Sequence, residues 1–272
     1  MPQMDPTKLR VSSSDGTGIA VEVTGPVGAP AIVLIHGIAQ SRQAFRSVLD
    51  GPLSRDHRLV AFDLRGHGES DKPEAPEAYT TGNRLGEDLH AVIATLGLDR
   101  PAILAWSYGG VVVSEHLRLY GDAGLGTLLF LGAAVRLGKP AKGLLGPTML
   151  ANGRGLVSDD DATYRATAKT FLEGCFATPH DVDGMVAEML RVPAHARRAL
   201  LTRSEDFDAE LAASKLPFAT IHGAEDSVIL PAMSEHIASR HPGTRATVIP
   251  GVGHVVPEEA PAAFEAAVRA SL

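Results

Sequence analysis

Short apolar runs alternate with longer amphipathic stretches along this chain. Leu9-Arg10-Val11 and Ile19-Ala20-Val21-Glu22-Val23 flank Asp15-Gly16-Thr17-Gly18, which reads as a hairpin. Ala31 to Ile35, Leu59 to Phe62, Ala102 to Ala105 and Leu128 to Leu131 are continuous apolar runs, as expected for strands covered on both faces. Two later runs are Pro217 to Ile221 and Ala246 to Ile249. Between them lie helical patterns. Arg84 to Leu96 repeats near 3.6 residues and meets Gly97 where a helix stop belongs. Val111 to Tyr120, Pro231 to Arg240 and Pro261 to Leu272 follow, the last two opened by prolines that suit a first helical turn. This alternation predicts an α/β fold built on a mostly parallel sheet.

The rhythm breaks between about residues 135 and 214. That stretch holds helix-like pieces, Ala162 to Glu173, Asp181 to Arg191 and Pro193 to Thr202, and no clear strand. It reads as a helical cap inserted between two parts of one core, residues 1–134 and 215–272. Asp159-Asp160-Asp161 precedes one of the helices and suits its N-terminus.

Composition narrows the function classes. Apolar residues make up 44% of 272 positions and charged residues 21%, enough to bury a large core. A net charge of -7 argues against nucleic acid or an anionic membrane as partner. The one cysteine, Cys175, allows no disulfide within the chain and suits a buried small hydrophobe. The first residues show no secretory pattern and no apolar run reaches membrane-spanning length, so a cytoplasmic protein is expected. Oligomeric state is not legible.

The chemistry concentrates at strand ends. Ala105-Trp106-Ser107-Tyr108-Gly109 follows an apolar run and precedes a helical one. A nucleophile on so sharp a turn needs small neighbours two residues away on each side, and Ala105 and Gly109 are small. The pentapeptide resembles the nucleophile elbow of the α/β-hydrolase family, Gly-x-Ser-x-Gly, with Ala105 in place of the first glycine. Gly251-Val252-Gly253-His254 follows the last strand, and a histidine there can take the proton of Ser107. His222-Gly223-Ala224-Glu225-Asp226 matches the family's His-Gly-x-x-Asp pattern and points to Asp226 rather than Glu225. His36-Gly37-Ile38 resembles the family's oxyanion loop, which implies backbone donors at Ile38 and Tyr108. Asp63-Leu64-Arg65-Gly66-His67-Gly68-Glu69-Ser70 is similar to a structural loop of the superfamily, within which Asp63 and Arg65 are expected to pair.

The resemblance covers nearly the whole chain outside the cap. It implies an α/β-hydrolase fold, an eight-stranded, mostly parallel sheet with helices on both faces and a helical cap. It further implies a serine hydrolase needing no metal or organic cofactor. Ser107 would be nucleophile, His254 general base and Asp226 the carboxylate behind it. Activity should then fall as His254 takes up a proton. Phe45, Trp106, Met149 and Phe171 are the candidate substrate-binding residues, and a small, fairly apolar carboxylic ester or lactone the expected partner. Relatives with aspartate at the elbow, the haloalkane dehalogenases and epoxide hydrolases, fit Ser107 poorly. Perhydrolase or haloperoxidase, lactonase and carbon–carbon bond hydrolase chemistry use the same triad and stay open. So does a ligand receptor built on a hydrolase fold.

Overall fold

A computed structural model describes residues 6–272. The main sheet takes eight strands: β1 (Thr7–Ser12), β2 (Gly18–Thr24), β3 (Ala31–Ile35), β4 (Arg58–Phe62), β5 (Ala102–Trp106), β6 (Leu128–Leu131), β9 (Phe218–Gly223) and β10 (Arg245–Ile249). The remaining two, β7 (Arg136–Leu137) and β8 (Glu205–Asp206), form a separate antiparallel ribbon. Strand order in the main sheet is β1-β2-β4-β3-β5-β6-β9-β10. β2 pairs antiparallel with both neighbours, and every other pairing is parallel.

The apolar runs explain this order. β5, β6 and β9 are buried at every position, so helices must cover both faces there. The edges differ. β1 and β10 alternate toward exposed positions, and Val248 on β10 is half-exposed. Ile35 pairs with both Phe62 and Ala105, which aligns the ends of three strands. The loops carrying His36, Asp63 and Ser107 therefore emerge side by side. A ligand site at the carboxyl ends of parallel strands follows from this topology.

Between β6 and β9 the chain is mainly helical: Pro147–Leu156, Asp161–Glu173, Asp183–Leu190, Ala194–Leu201 and Asp208–Ala213. Asp160 caps the second of these by accepting from Thr163 N at 2.8 Å. Arg197 is buried and holds the segment together from inside. It donates to the carbonyls of Leu156 (3.0 Å) and Ser158 (2.7 Å) and lies 3.4 Å from the Tyr164 ring centroid. The β7–β8 ribbon is the one strand pairing here. With only two residues in each strand, it leaves no period to read in the sequence.

One sequence expectation fails. Asp63 and Arg65 do not pair with each other. Asp63 faces Arg42, accepting from its backbone N–H at 2.7 Å and ion-pairing with its guanidinium. Arg65 turns to Asp88 (2.6 Å) and Asp15 (2.8 Å). Asp63, Arg65 and Asp88 are fully buried, so each charge needs its own opposite partner and hydrogen bonds. No helix among the described residues is long and apolar enough to cross a membrane.

Candidate active site

Ser107 sits between the end of β5 and the helix Gly109–Tyr120 at φ 53°, in the left-handed region. Two bonds fix this turn: Ser107 N donates to Leu131 O at 3.0 Å, and Gly110 N donates to Ser107 O at 3.0 Å. Space is as tight as the sequence implies. A Cβ on Gly109 would lie 2.7 Å from Ile35 O, and one on Gly37 would lie 2.9 Å from the Ser107 Cβ. Ala105, where the family pattern has glycine, fits fully buried within the strand.

Asp226 and His254 meet on neighbouring loops. His254 Nδ1 lies 2.6 Å from Asp226 Oδ2. The other carboxylate oxygen accepts from Val228 N (2.8 Å) and Ile229 N (3.0 Å). His222 Nε2 approaches Asp226 Oδ2 at 3.1 Å while also contacting Ile229 O at 2.8 Å. Burial opposes ionisation of Asp226. The attraction of His254 and the hydrogen bonds from His222 and His254 outweigh it, holding the carboxyl well below the usual carboxylate range. A carboxylate at Nδ1 keeps the proton there and leaves Nε2 as the free acceptor.

Gly132 makes room for this pair. Its φ is 47°, and a Cβ there would lie 3.2 Å from Asp226 Oδ2 and 3.3 Å from His254 Nδ1. The backbone of His254 is held from two sides: Trp106 Nε1 donates to His254 O at 3.0 Å, and His254 N donates to Cys175 O at 2.7 Å. Ser107 and His254 line one narrow cavity, about 10 Å³, with Gly37, Ile38, Gln40, Trp106, Phe171, Leu172 and Cys175. No hydrogen bond joins the Ser107 hydroxyl to His254 among the described residues. Such contacts are often loose before substrate binds. The N–H groups of Ile38 and Tyr108 donate to nothing among the described residues, which leaves both free for a ligand oxygen.

A model of the alpha/beta hydrolase family matches residues 32–267. The chain belongs to that family. Among solved structures, the esterase RhEst1 from Rhodococcus sp. ECU1013 is 30% identical, with a TM-score of 0.89 and 97% of each chain covered. A putative aryl esterase from Burkholderia cenocepacia is 26% identical, with a TM-score of 0.87 and 96% of each chain covered. The AB hydrolase superfamily protein YisY of Bacillus subtilis (strain 168) is 27% identical over 204 residues, 72% of this chain and 74% of YisY. Several further curated relatives, Epoxide hydrolase A of Mycobacterium tuberculosis (strain ATCC 25618 / H37Rv) among them, are spanned for only 20% to 40% of their length.

Two of the four proposed substrate-binding residues of this hydrolase, Trp106 and Phe171, line the cavity. Phe45 and Met149 do not. Phe45 is buried behind the site, edge-on to Trp106 with ring centroids 6.4 Å apart. Met149 is a partly buried residue of the helix Pro147–Leu156, packed against the core. Cys175, read as a buried small side chain, is buried and lines the same cavity. Its thiol donates to Phe171 O at 3.3 Å, and burial pushes its pKa up. Four contributors escaped the sequence reading: Gly132, His222, Gln40 and the indole N–H of Trp106 as a brace for His254. Only His222 carried a signal, as the first residue of the His-Gly-x-x-Asp pattern.

His36 and His67 are fully buried and tie two loops together. Leu64 N donates to His36 Nε2 at 3.0 Å, and Ala39 N donates to His67 Nε2 at 3.0 Å. Each Nδ1–H turns back to a carbonyl of its own loop, Gly37 O at 2.7 Å and Arg65 O at 2.9 Å. Both rings thus spend one donor and one acceptor and are neutral. Burial pushes His36 down to about 4. Burial, then the neighbouring His36, pushes His67 down to about 3.

Proposed function

We propose that this hydrolase cleaves small, fairly apolar carboxylic esters through an acyl-enzyme on Ser107. The observation that carries the reading is the His254–Asp226 pair at 2.6 Å, oriented so that Nε2 is the free nitrogen of a ring lining the same cavity as Ser107. Nε2 takes the Ser107 proton as Oγ attacks the ester carbonyl. Negative charge then grows on the carbonyl oxygen, where the free N–H groups of Ile38 and Tyr108 stabilise it. Asp226 stays ionised and stabilises the imidazolium. His254 returns the proton to the departing alkoxide, releasing the alcohol. Water, deprotonated by the same nitrogen, attacks the acyl-enzyme; the acyl–Oγ bond breaks, Oγ takes the proton back from His254, and the carboxylic acid leaves.

The cavity supports the substrate class. Ile38, Trp106, Phe171 and Leu172 make it mostly apolar. The esterase neighbours agree with this reading.

p-Nitrophenyl esters of increasing acyl length test it. Hydrolysis should peak at short chains. Ser107→Ala should lower kcat by roughly three orders of magnitude or more, with KM much less affected. Equal nitrophenol release from wild type and Ser107→Ala would overturn the serine mechanism. No release from any ester by the wild type would overturn the esterase reading.

A further inference from the structure

The cavity holds one polar group that the proposed reaction does not use. Gln40 lies at the end of the loop that starts with His36, and its side chain is buried, with 4% of the residue exposed. Its Nε2 donates to Met185 O in the helix Asp183–Leu190 at 3.4 Å, a long bond. A carbonyl can only accept, so the amide nitrogen must face Met185. That leaves Oε1, which accepts no hydrogen bond among the described residues, as the free end of a cavity-lining side chain.

The rest of the lining is spent or apolar. Trp106 Nε1 is committed to His254 O, and the Cys175 thiol to Phe171 O. The Ile38 N–H is reserved for the oxyanion. Ile38, Phe171 and Leu172 present only carbon. An acceptor that a bound ligand covers without supplying a donor is costly, so a ligand that encloses Gln40 Oε1 is selected for supplying one. We propose that Gln40 is a specificity-determining residue. It selects, among small esters, those whose enclosed part carries a hydroxyl or amide N–H that donates to its Oε1. This rests on the ester reading above and narrows it from apolar esters to esters that are apolar apart from one donor.

The test compares p-nitrophenyl 3-hydroxybutyrate with p-nitrophenyl 3-methylbutyrate. The two acyl groups have nearly the same shape and differ in hydroxyl against methyl. Wild type should favour the hydroxy ester in kcat/KM. Gln40→Met keeps the length of the side chain and removes the acceptor, and should lower that preference about tenfold. A preference is a ratio, so it does not depend on the fraction of variant that folds. If wild type cleaves both esters and Gln40→Met leaves the ratio unchanged, the assignment of Gln40 is wrong and the ester reading stands. If wild type cleaves neither ester nor the simple esters above, the ester reading fails first and this inference falls with it.

Discussion

A serine hydroxyl is a poor nucleophile until geometry and a base act on it together, and the proposed base reaches Ser107 from a loop far along the chain. Ser107 is held at a positive φ that L-residues rarely adopt, by hydrogen bonds to Leu131 and Gly110 on either side. Asp226 then decides which nitrogen of His254 is free. Asp226→Asn would keep the shape of the pair. An amide that donates toward Nδ1 would put the imidazole proton on Nε2, where it cannot accept from Ser107. The expected result is a fall in kcat of two to four orders of magnitude on short p-nitrophenyl esters, with KM within a few fold. A fall confined to KM would mean that Asp226 shapes the pocket and not the base. These candidates could be named from the sequence because serine, aspartate and histidine stand at strand ends in that order. Gly132 could not, because the need for a missing Cβ appears only when the β6 end meets the Asp226–His254 pair.

At the scale of elements, the site depends on loops that are held by one another. The loop from His36 to Gln40 and the loop from Asp63 to Ser70 exchange backbone donors through two imidazoles. Ala39, at φ 57°, is pinned by His67. His67 does not line the cavity and so acts as a positioning residue for the oxyanion loop. His67→Ala would leave the Ala39 N–H and the Arg65 carbonyl without their partner. We expect kcat to drop about tenfold while KM stays near wild type, because the oxyanion donor serves the transition state more than the bound ester. A matched rise in KM with unchanged kcat would assign the loop to substrate binding instead. The elements themselves were legible, since short continuous apolar runs between turn residues, alternating with amphipathic stretches, suit buried strands. Their side-chain partners were not. Asp63 could be expected to meet the nearest arginine in its own loop. Instead Arg42, brought alongside by the parallel pairing of β3 and β4, fills that place and also reaches Glu22 and Glu69. Phe45 misled for a related reason, because an aromatic near the oxyanion loop can pack behind the site as readily as within it.

Over the whole molecule, the neutral buried histidines couple folding to pH. An unfolded histidine binds its proton near pH 6.5. In the folded protein burial pushes His36 to about 4, His67 to about 3 and His116 to about 4. The unfolded chain therefore binds more protons than the folded chain as pH falls below about 6.5. Where that is so, stability rises with pH, so acidification destabilises. For His36 alone the span from about 6.5 to about 4 corresponds to roughly 3 kcal/mol. Domains commonly retain only about 5–15 kcal/mol in all, so the group together can consume much of it. Asp226, held well below the usual carboxylate range, adds its loss only in stronger acid, once pH falls below the carboxylate values of the unfolded chain. Urea unfolding at pH 7.5, 6.0, 5.0 and 4.5, followed by far-UV circular dichroism, should show a flat start and then a steep decline beginning near pH 6.5. His36→Gln should make that decline shallower, whatever it does to stability at pH 7.5. The same curves separate two causes of lost activity in acid. A loss that reverses at once on neutralisation of a fully folded enzyme would belong to the chemistry of the site. A loss that tracks the unfolding midpoint instead would place the pH sensitivity in the loops that carry the site. Unfolding stability that stays flat down to pH 4.5 would mean that His36, His67 and His116 accept protons in place.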